Sequence, residues 1–545
     1  MTLDKRIPVR GVVVGLLSGA VGVCAAFLVS GISGVVGNPV VAVAQLAIDL
    51  SPPPVKNFAI REFGTHDKLV LQIGVLVVLA VFAGFVGVLA QRREANGLIG
   101  VAIFGAIGLI AAGTRPTATA ADLLPALIGA AAAAGTLVML TRSAEPPVSR
   151  RERTTREADD ADAAGADQES RGEPIRSAGQ VRAAALSVFE PPRRQFLTLG
   201  AVAAGVAAAS YAGGRLLSEQ ASVSSEVKSL HLPAPATPAP ALPISAELRV
   251  PGLSSFVTSN AAFYRVDTAI VLPQIPPSSW QLRIHGMVRR ELTISFDQLL
   301  RRPLTEAYIT LTCVSNPVGG PYIGNARWLG ASLGALLREA GIRAGADQLY
   351  CTSSDGFTSG TPVQTAMDGR DALLAVGMNG KPLPTAHGFP VRTVVPGLYG
   401  YVSACKWITD IEVTTYAANH AYWSERGWSQ QAPIKTESRI DVPSGRGPVK
   451  AGPTSIAGVA WAQHKGIDAV EVRVDRGPWL QAKLAAVPGI DTWRQWSADW
   501  EATPGTRRIE ARATDATGYT QTAFVAPPEP DGASGYPVVT VTVTS

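Results

Sequence analysis

The sequence predicts a multi-domain chain with an N-terminal α-helical membrane region, a mixed α/β domain and a C-terminal β-sandwich. Three observations predict it. Residues 1–141 are dominated by Ala, Val, Leu, Ile and Gly in long runs, several of them near the roughly 20 residues that a helix needs to cross a bilayer. From 247 to 432 strand-like and helix-like periodicities alternate. From 433 to 545 short alternating strands are separated by Gly, Pro and Asp, which is how two packed antiparallel sheets read. The chain average of 47% hydrophobic residues therefore describes neither half. A net charge of +5, scattered in Arg, is too small to argue for a nucleic-acid partner.

In the membrane region (1–141), four stretches, 11–33, 69–91, 97–114 and 121–141, are long and apolar enough to span, the third marginally. Lys5, Arg6 and Arg10 precede the first, Arg92 and Arg93 separate the second and third, and many Arg follow the fourth. The positive-inside rule then puts the N-terminus and residues 142–194 in the cytoplasm of a multi-pass cell-membrane protein. Within 142–194 the mix of Glu, Asp and Arg with Ala, Ser and Gly, lacking apolar periodicity, reads as a disordered cytoplasmic loop. The next stretch is PPRRQFLTLGAVAAGVAAASYAGG. Residues 195–216 are either an internal twin-arginine signal-anchor led by Arg193 and Arg194, or an ordinary fifth helix with positive flanks. Both readings leave the following residues outside the cytoplasm. Gly11, Gly15 and Gly19 form a small-residue stripe suited to helix packing. No His lies in any span and no charge near the middle of one, which argues against a bis-His haem or a transport path there. The helices read as an anchor or docking surface.

Residues 217–246 carry Pro233, Pro235, Pro238, Pro240 and Pro243 and read as an extended, semi-rigid spacer. In the domain at 247–432, QLRIHG and ITLTC read as strands and FDQLLRR as a short helix. Leu333, Leu336, Leu337 and Ala340 give one apolar helix face ending at Gly341. In 433–545 the strands are AVEVRVD, RRIEARATD and VVTVTVT, while Trp479, Trp493, Trp496 and Trp500 supply either sandwich core or a partner or carbohydrate face.

Of the four cysteines, Cys24 lies in an apolar run, and Cys313, Cys351 and Cys405 are widely spaced. Without a CxxC pair, zinc and iron–sulfur sites are disfavoured, and a Cys351–Cys405 disulfide is left open. Cys313 ends the β-branched run ITLTC and opens a loop of turn formers, SNPVGG. In isolation it would read as a small buried hydrophobe.

Its context is more specific. FYRVDT (263–268), WQLRIHGMV (280–288), TLTCVSN (310–316), ARWLGASL (326–333), SSDG (353–356), MNGKPLPTAHGFPVRTVVPGLYG (378–400) and ACKW (404–407) follow one another in order. Together they resemble the molybdenum-cofactor domain of the sulfite oxidase family, which also includes bacterial periplasmic methionine sulfoxide reductase catalytic subunits. Residues 433–545 are similar to that family's immunoglobulin-like C-terminal dimerisation domain, which implies a homodimer through this domain. The resemblance does not reach 1–245. It implies a molybdenum–molybdopterin cofactor with Cys313 as the one protein ligand, and a soft thiolate suits a metal already bound by dithiolene sulfur. It also implies pterin contacts from Asp355, His387, Arg392, Lys406 and the backbone near Ala404 and Cys405. Tyr264 and Arg265 match the early cofactor segment, where Arg265 also faces an anionic substrate, and Asp267 in the same stretch is a further candidate cofactor contact.

Two departures bear on the substrate. Sulfite oxidases have Arg-Asn-His where this chain has Arg265, Val266 and Asp267. In YWSERGW, Trp428 takes the place of their metal-side Tyr; an indole donates one hydrogen bond but is no phenolic acid. The resemblance thus implies two-electron oxygen-atom transfer on a small substrate, a sulfoxide or other S- or N-oxide ahead of sulfite. No haem-domain segment is visible, so electrons pass to or from an unidentified partner. The rival reading is a non-catalytic anchored module binding through its β-sandwich; intact Cys313, Arg392 and Lys406 count against it.

Overall fold

The computed structural model describes residues 9–33, 39–52, 55, 67–115, 118–143, 191–220, 222–445 and 447–545. Of the loop expected at 142–194, residues 144–190 lie outside them, and residues 191–194 begin a helix. The chain forms two compact units, residues 1–221 and 222–545.

The first unit is helical: α1 (Val9–Ser33), α2 (Pro39–Leu50), α3 (Asp67–Arg92), α4 (Glu94–Gly113), α5 (Leu124–Arg142) and α6 (Pro191–Gln220). Among the described residues, five helices are long and apolar enough to cross a membrane, in the places expected. The short apolar α2 was not anticipated, because 12 residues fall below spanning length. The glycine stripe packs helices as expected. A Cβ on Gly15 would lie 1.9 Å from Ala83 O, and one on Gly87 2.1 Å from Gly11 O, so α1 and α3 touch backbone to backbone. Contacts fix the directions. Gly11 meets Gly87 and Val88, Glu94 pairs with Arg142 at 3.0 Å, Arg10 lies over the Phe196 ring at 4.8 Å, and Phe27 stacks on Tyr211. The contacts of Arg10, Phe196, Glu94 and Arg142 mark one end of the bundle, so α1 and α6 run parallel.

The second unit begins with an α/β domain built from β1 (Gln281–Gly286), β2 (Leu292–Ser295), β3 (Leu304–Thr312), β4 (Ile323–Ser332), β5 (Gln348–Ser353), β6 (Thr358–Pro362), β7 (Leu373–Met378), β8 (Lys381–Pro382), β9 (Arg392–Val394) and β10 (Ile408–Thr414). One sheet has the order β2-β1-β10-β5-β6; the other runs β3-β4-β7-β8, with β9 on β7. The expected elements are present. Leu282 and Ile284 of β1 point inward between exposed neighbours. Helix α7 (Phe296–Leu300) starts with a capping box between Ser295 and Gln298. Helix α8 (Leu333–Ala340) buries Leu333, Leu336, Leu337 and Ala340 and stops at Gly341, φ +71°.

The proline-rich stretch is not a free spacer along its length. Ala236 and Thr237 N–H donate to Leu304 O, and Glu306 N–H donates to Thr237 O. The residues between the prolines keep their N–H groups, so the segment pairs with the β3 edge.

The C-terminal part contains β11 (Glu437–Val442), β12 (Val449–Lys450), β13 (Gly452–Trp461), β14 (Ile467–Val474), β15 (Leu480–Gln481), β16 (Lys483–Leu484), β17 (Arg494–Ala502), β18 (Gly505–Asp515) and β19 (Val538–Thr544). They form sheets β11-β13-β17-β16 and β12-β19-β18-β14-β15, which share one core holding Ile456, Val470, Trp496, Ile509 and Val541. The four tryptophans divide. Trp496 is in this core and Trp500 packs on it, Trp493 joins the core of the α/β domain, and Trp479 lies between the Arg473 and Arg512 guanidinium groups, each 4.4 Å from its ring.

Candidate active site

Cys313 leaves the C-terminal end of β3, whose register with β4 pairs Thr312 with Ile323. The loop that follows is closed at its base. Cys313 N–H donates to Tyr322 O at 2.9 Å, Tyr322 N–H donates to Asn316 Oδ1 at 2.8 Å, and Asn316 N–H donates back to Cys313 O at 3.1 Å. A Cβ on Gly320 would lie 2.6 Å from both Asn316 Oδ1 and Pro317 Cδ, so this closure requires a glycine there. Cys313 is 9% exposed. Burial pushes its pKa up, while hydrogen bonds from Ser315 and the charge of Lys406 oppose the rise.

Beside it stands the segment before β1. Phe263 meets Trp328 and His387 edge to face, with centroids 5.7 and 5.6 Å apart. It seats against Gly324 of β4, where a Cβ would fall 2.8 Å from the ring. The next residue, Tyr264, has its phenol pushed up by burial, with Cys313 adding to the rise and Arg392 opposing it. Arg265 grips Asp267 with two hydrogen bonds of 2.8 and 3.2 Å. The Asp267 carboxylate, 3% exposed, also accepts from Lys406 Nζ at 2.6 Å. Burial brings Lys406 down to about 8, with Asp267 pulling the other way.

Arg392 stands at the start of β9. It is 5% exposed and donates to the carbonyls of Thr393 (3.3 Å), His387 (3.1 Å) and Ala404 (3.4 Å), with the guanidinium 5.1 Å from the Trp328 ring centroid. No carboxylate partners it among the described residues. Burial lowers its pKa to about 10. His387 donates from Nε2 to Asn260 O at 3.0 Å; burial first, then the charge of Arg392, lowers it to about 4, so it is neutral at pH 7.

The structure thus brings together Cys313, Tyr264, Arg265, Asp267, His387, Arg392 and Lys406. Ala404 and Cys405 follow the short helix α9 (Gly400–Ser403). Their N–H groups are engaged inside the protein, Ala404 with Gly400 O at 3.0 Å and Cys405 with Thr393 Oγ1 at 2.8 Å, and Ala404 O accepts from Arg392. Asp355 sits in the β5–β6 turn, accepting from Phe357 N–H at 3.1 Å, near enough to Cys405 to raise that thiol further. Cys351 and Cys405 are both free thiols, which closes the disulfide question. Trp428 packs edge-on against Tyr401 and Trp423, each 6.0 Å between centroids.

The residue set fits an anionic, sulfur-ligated cofactor. A buried guanidinium without a carboxylate carries a desolvation cost that an anionic phosphate would offset. The nearby thiol has no disulfide partner and would lose its proton on meeting a metal.

Comparison with known proteins agrees. Residues 269–423 match the family model "Oxidoreductase molybdopterin binding domain". Sulfite oxidase from Gallus gallus is 30% identical over 321 residues, covering 50% of this chain and 69% of that protein. The chain belongs to the sulfite oxidase family. The mitochondrial sulfite oxidase of Mus musculus is 29% identical over 321 residues, and the chain spans 58% of its length. A solved structure, the sulfane dehydrogenase SoxCD from Paracoccus pantotrophus, aligns with 23% identity and a TM-score of 0.47 over 54% of this chain and 84% of that one. In this sulfite oxidase family chain, Cys313, Asp355, His387, Arg392, Ala404, Cys405 and Lys406 lie inside the matched segment. Tyr264, Arg265, Asp267 and Trp428 lie outside it.

Sequence reasoning missed the contacts that the C-terminal part makes to β3. Gln463 Nε2 donates to Thr310 O (3.0 Å) and Thr312 Oγ1 (3.2 Å), and Arg439 Nη1 donates to Gly320 O at 3.3 Å. No sequence signal marks them, because they join residues more than 100 positions apart.

Proposed function

We propose that this chain is a membrane-anchored molybdopterin-dependent oxidoreductase that moves an oxygen atom, with two electrons, to or from a small substrate outside the cytoplasm. The substrate is a sulfoxide or another S- or N-oxide ahead of sulfite. The observation that carries the reading is the buried Arg392, free of any carboxylate among the described residues, in the same cluster as the Cys313 thiol.

When bound, the cofactor supplies the oxygen-atom and two-electron chemistry. The chain's own groups bind and orient. Arg392 and Lys406 meet the cofactor's anionic end, and Asp267 keeps Lys406 in place. Cys313 offers one thiolate from a closed, rigid loop, and His387, neutral, adds no charge that would compete with Arg392. Trp428 offers a substrate oxygen one N–H and no acidic proton, which favours a neutral S–O or N–O group over sulfite.

The end of the bundle marked by Arg10, Phe196, Glu94 and Arg142 also carries Arg92, Arg93 and Arg194, and supports a cytoplasmic assignment for that end. Because α6 runs parallel to α1, the residues after it then emerge on the opposite, extracytoplasmic side. Arg193 and Arg194 at its start suit either a twin-arginine signal or a positive flank. The two C-terminal sheets with one shared core suit an immunoglobulin-like dimerisation module. Electrons pass to or from a separate redox partner.

The experiment is a viologen-coupled turnover screen on the purified full chain, with reduced dye and a panel of sulfoxides and N-oxides, and with oxidised dye and sulfite. Turnover of an S- or N-oxide above that of sulfite supports the assignment. A sulfite rate exceeding all the oxides reverses the substrate order, and no turnover of any compound by metal-loaded protein removes the catalytic reading.

A further inference from the structure

The strand that delivers Cys313 is held on its free side by the C-terminal part of the chain. β3 pairs with β4 along one edge. On the other edge, Thr310 N–H donates to Asp491 O at 2.9 Å, and Thr310 Oγ1 accepts from Trp493 N–H at 2.7 Å. Gln463 completes the edge, because its one amide nitrogen serves both Thr310 O and Thr312 Oγ1. Gln463 is 3% exposed, and Thr310 and Thr312 are each 0% exposed. Water therefore has no access to replace these bonds, and a lost donor leaves buried acceptors unpaired. Thr312 is the residue immediately before Cys313. Beyond the thiol, Arg439 holds Gly320 O, itself fixed by two bonds to Asp441 and one to Ser254.

We infer that Gln463 is a positioning residue for the Cys313 thiol, and that the C-terminal part acts as the second jaw of the clamp that presents the metal-ligating sulfur. This rests on Cys313 being the ligand, as proposed above, and it extends that reading by giving the C-terminal part a task at the site. A buried side-chain amide here acts as a strand would. It supplies the N–H that the β3 edge lacks, and by gripping Thr312 through its hydroxyl it also sets where the chain turns into the Cys313 loop.

The test uses the full chain produced in cells unable to make the cofactor, so that its outcome does not depend on the enzymatic reading. The measured quantity is the rate of iodoacetamide alkylation at Cys313, followed by mass spectrometry with Cys351 and Cys405 as internal references. Gln463→Leu and Gln463→Met both remove the donor. Val470→Ala, which opens a cavity in the core of the C-terminal sheets, sets the effect of lost stability alone. Expected is alkylation at Cys313 about tenfold faster in both Gln463 variants than in Val470→Ala at matched thermal transition, with Cys351 and Cys405 unchanged. If the Gln463 variants do not fold, Thr312→Val removes only the hydroxyl that Gln463 holds, and a smaller rise of the same sign is expected. Cys313 rates equal to those of Val470→Ala in every folded variant overturn the inference. A wild type lacking molybdenum when the cofactor is supplied would instead sink the enzymatic reading and leave this result standing.

Discussion

The Lys406 ammonium lies 2.6 Å from Asp267 Oδ2, and both side chains are nearly shut off from water. That carboxylate also holds Arg265, so one negative charge serves two positive ones, and Arg392 nearby has none. Among the described residues, the cradle's ion pairs join Arg265 and Lys406 to Asp267 and give Arg392 no carboxylate.

Asp267→Asn removes the carboxylate that pairs with both Lys406 and Arg265. Breaking a buried pair by deleting one partner costs about 3 kcal/mol or more, so the second unit is expected to unfold at lower denaturant concentration. Cofactor supplied during expression is expected to recover part of the loss, because it brings negative charge to the same cations. Denaturation followed by tryptophan fluorescence, with and without cofactor, measures both.

His387 gives a pH signature. Its folded pKa is about 4 against an ordinary 6.5, so between these values the unfolded chain binds more protons than the folded one. Its contribution to stability is present above about 6.5 and is lost as pH falls through about 4. The melting temperature of the wild type should therefore drop more steeply over this window than that of His387→Gln. Parallel curves would show that the ring is not buried neutral.

Glu437 has the opposite sign. Burial pushes it up to about 8, and Oε1 has no hydrogen-bond partner. The folded chain then binds more protons than the unfolded one between about 4.5 and 8, and stability declines as pH rises across that range. Glu437→Gln, which cannot ionise, is expected to raise the melting temperature at pH 8 by a few degrees and to change it little at pH 5. Equal shifts at both values would place the carboxylate in a solvated setting.

Arg392→Lys tests geometry rather than charge. The planar fork reaches three carbonyls at once, whereas a single ammonium cannot span them. Losing charge-assisted hydrogen bonds of this kind costs about 1.5–3 kcal/mol. Molybdenum retained after extensive dialysis should then fall about tenfold or more relative to wild type, and retention equal to wild type would remove Arg392 from the cofactor's anionic end.

Local rules made much of this legible in advance. Helix α8 carries its own cap at Ser332 and stop at Gly341, β1 alternates its burial, and five apolar runs state their own length. The site was readable because the motif around Cys313, HGFPVR and ACKW is continuous within each short stretch. What stayed hidden depends on distant partners. That the prolines at 233–243 leave N–H groups able to pair with β3 could not be seen without knowing that β3 has a free edge. The same holds for Gln463, a glutamine with nothing in its neighbours to mark it. Trp493 read as sandwich core or a partner or carbohydrate face, yet it packs into the α/β domain, because which face a strand end presents is set by the domain beside it.

The most direct test is the molybdenum content of the purified full chain by mass spectrometry, wild type against Cys313→Ser, both expressed with cofactor supplied. Stoichiometric molybdenum in the wild type and its loss in the Ser variant, with the thermal transition retained, is the expected result. A folded wild type free of molybdenum, or a Ser variant loaded as fully as the wild type, would contradict the account.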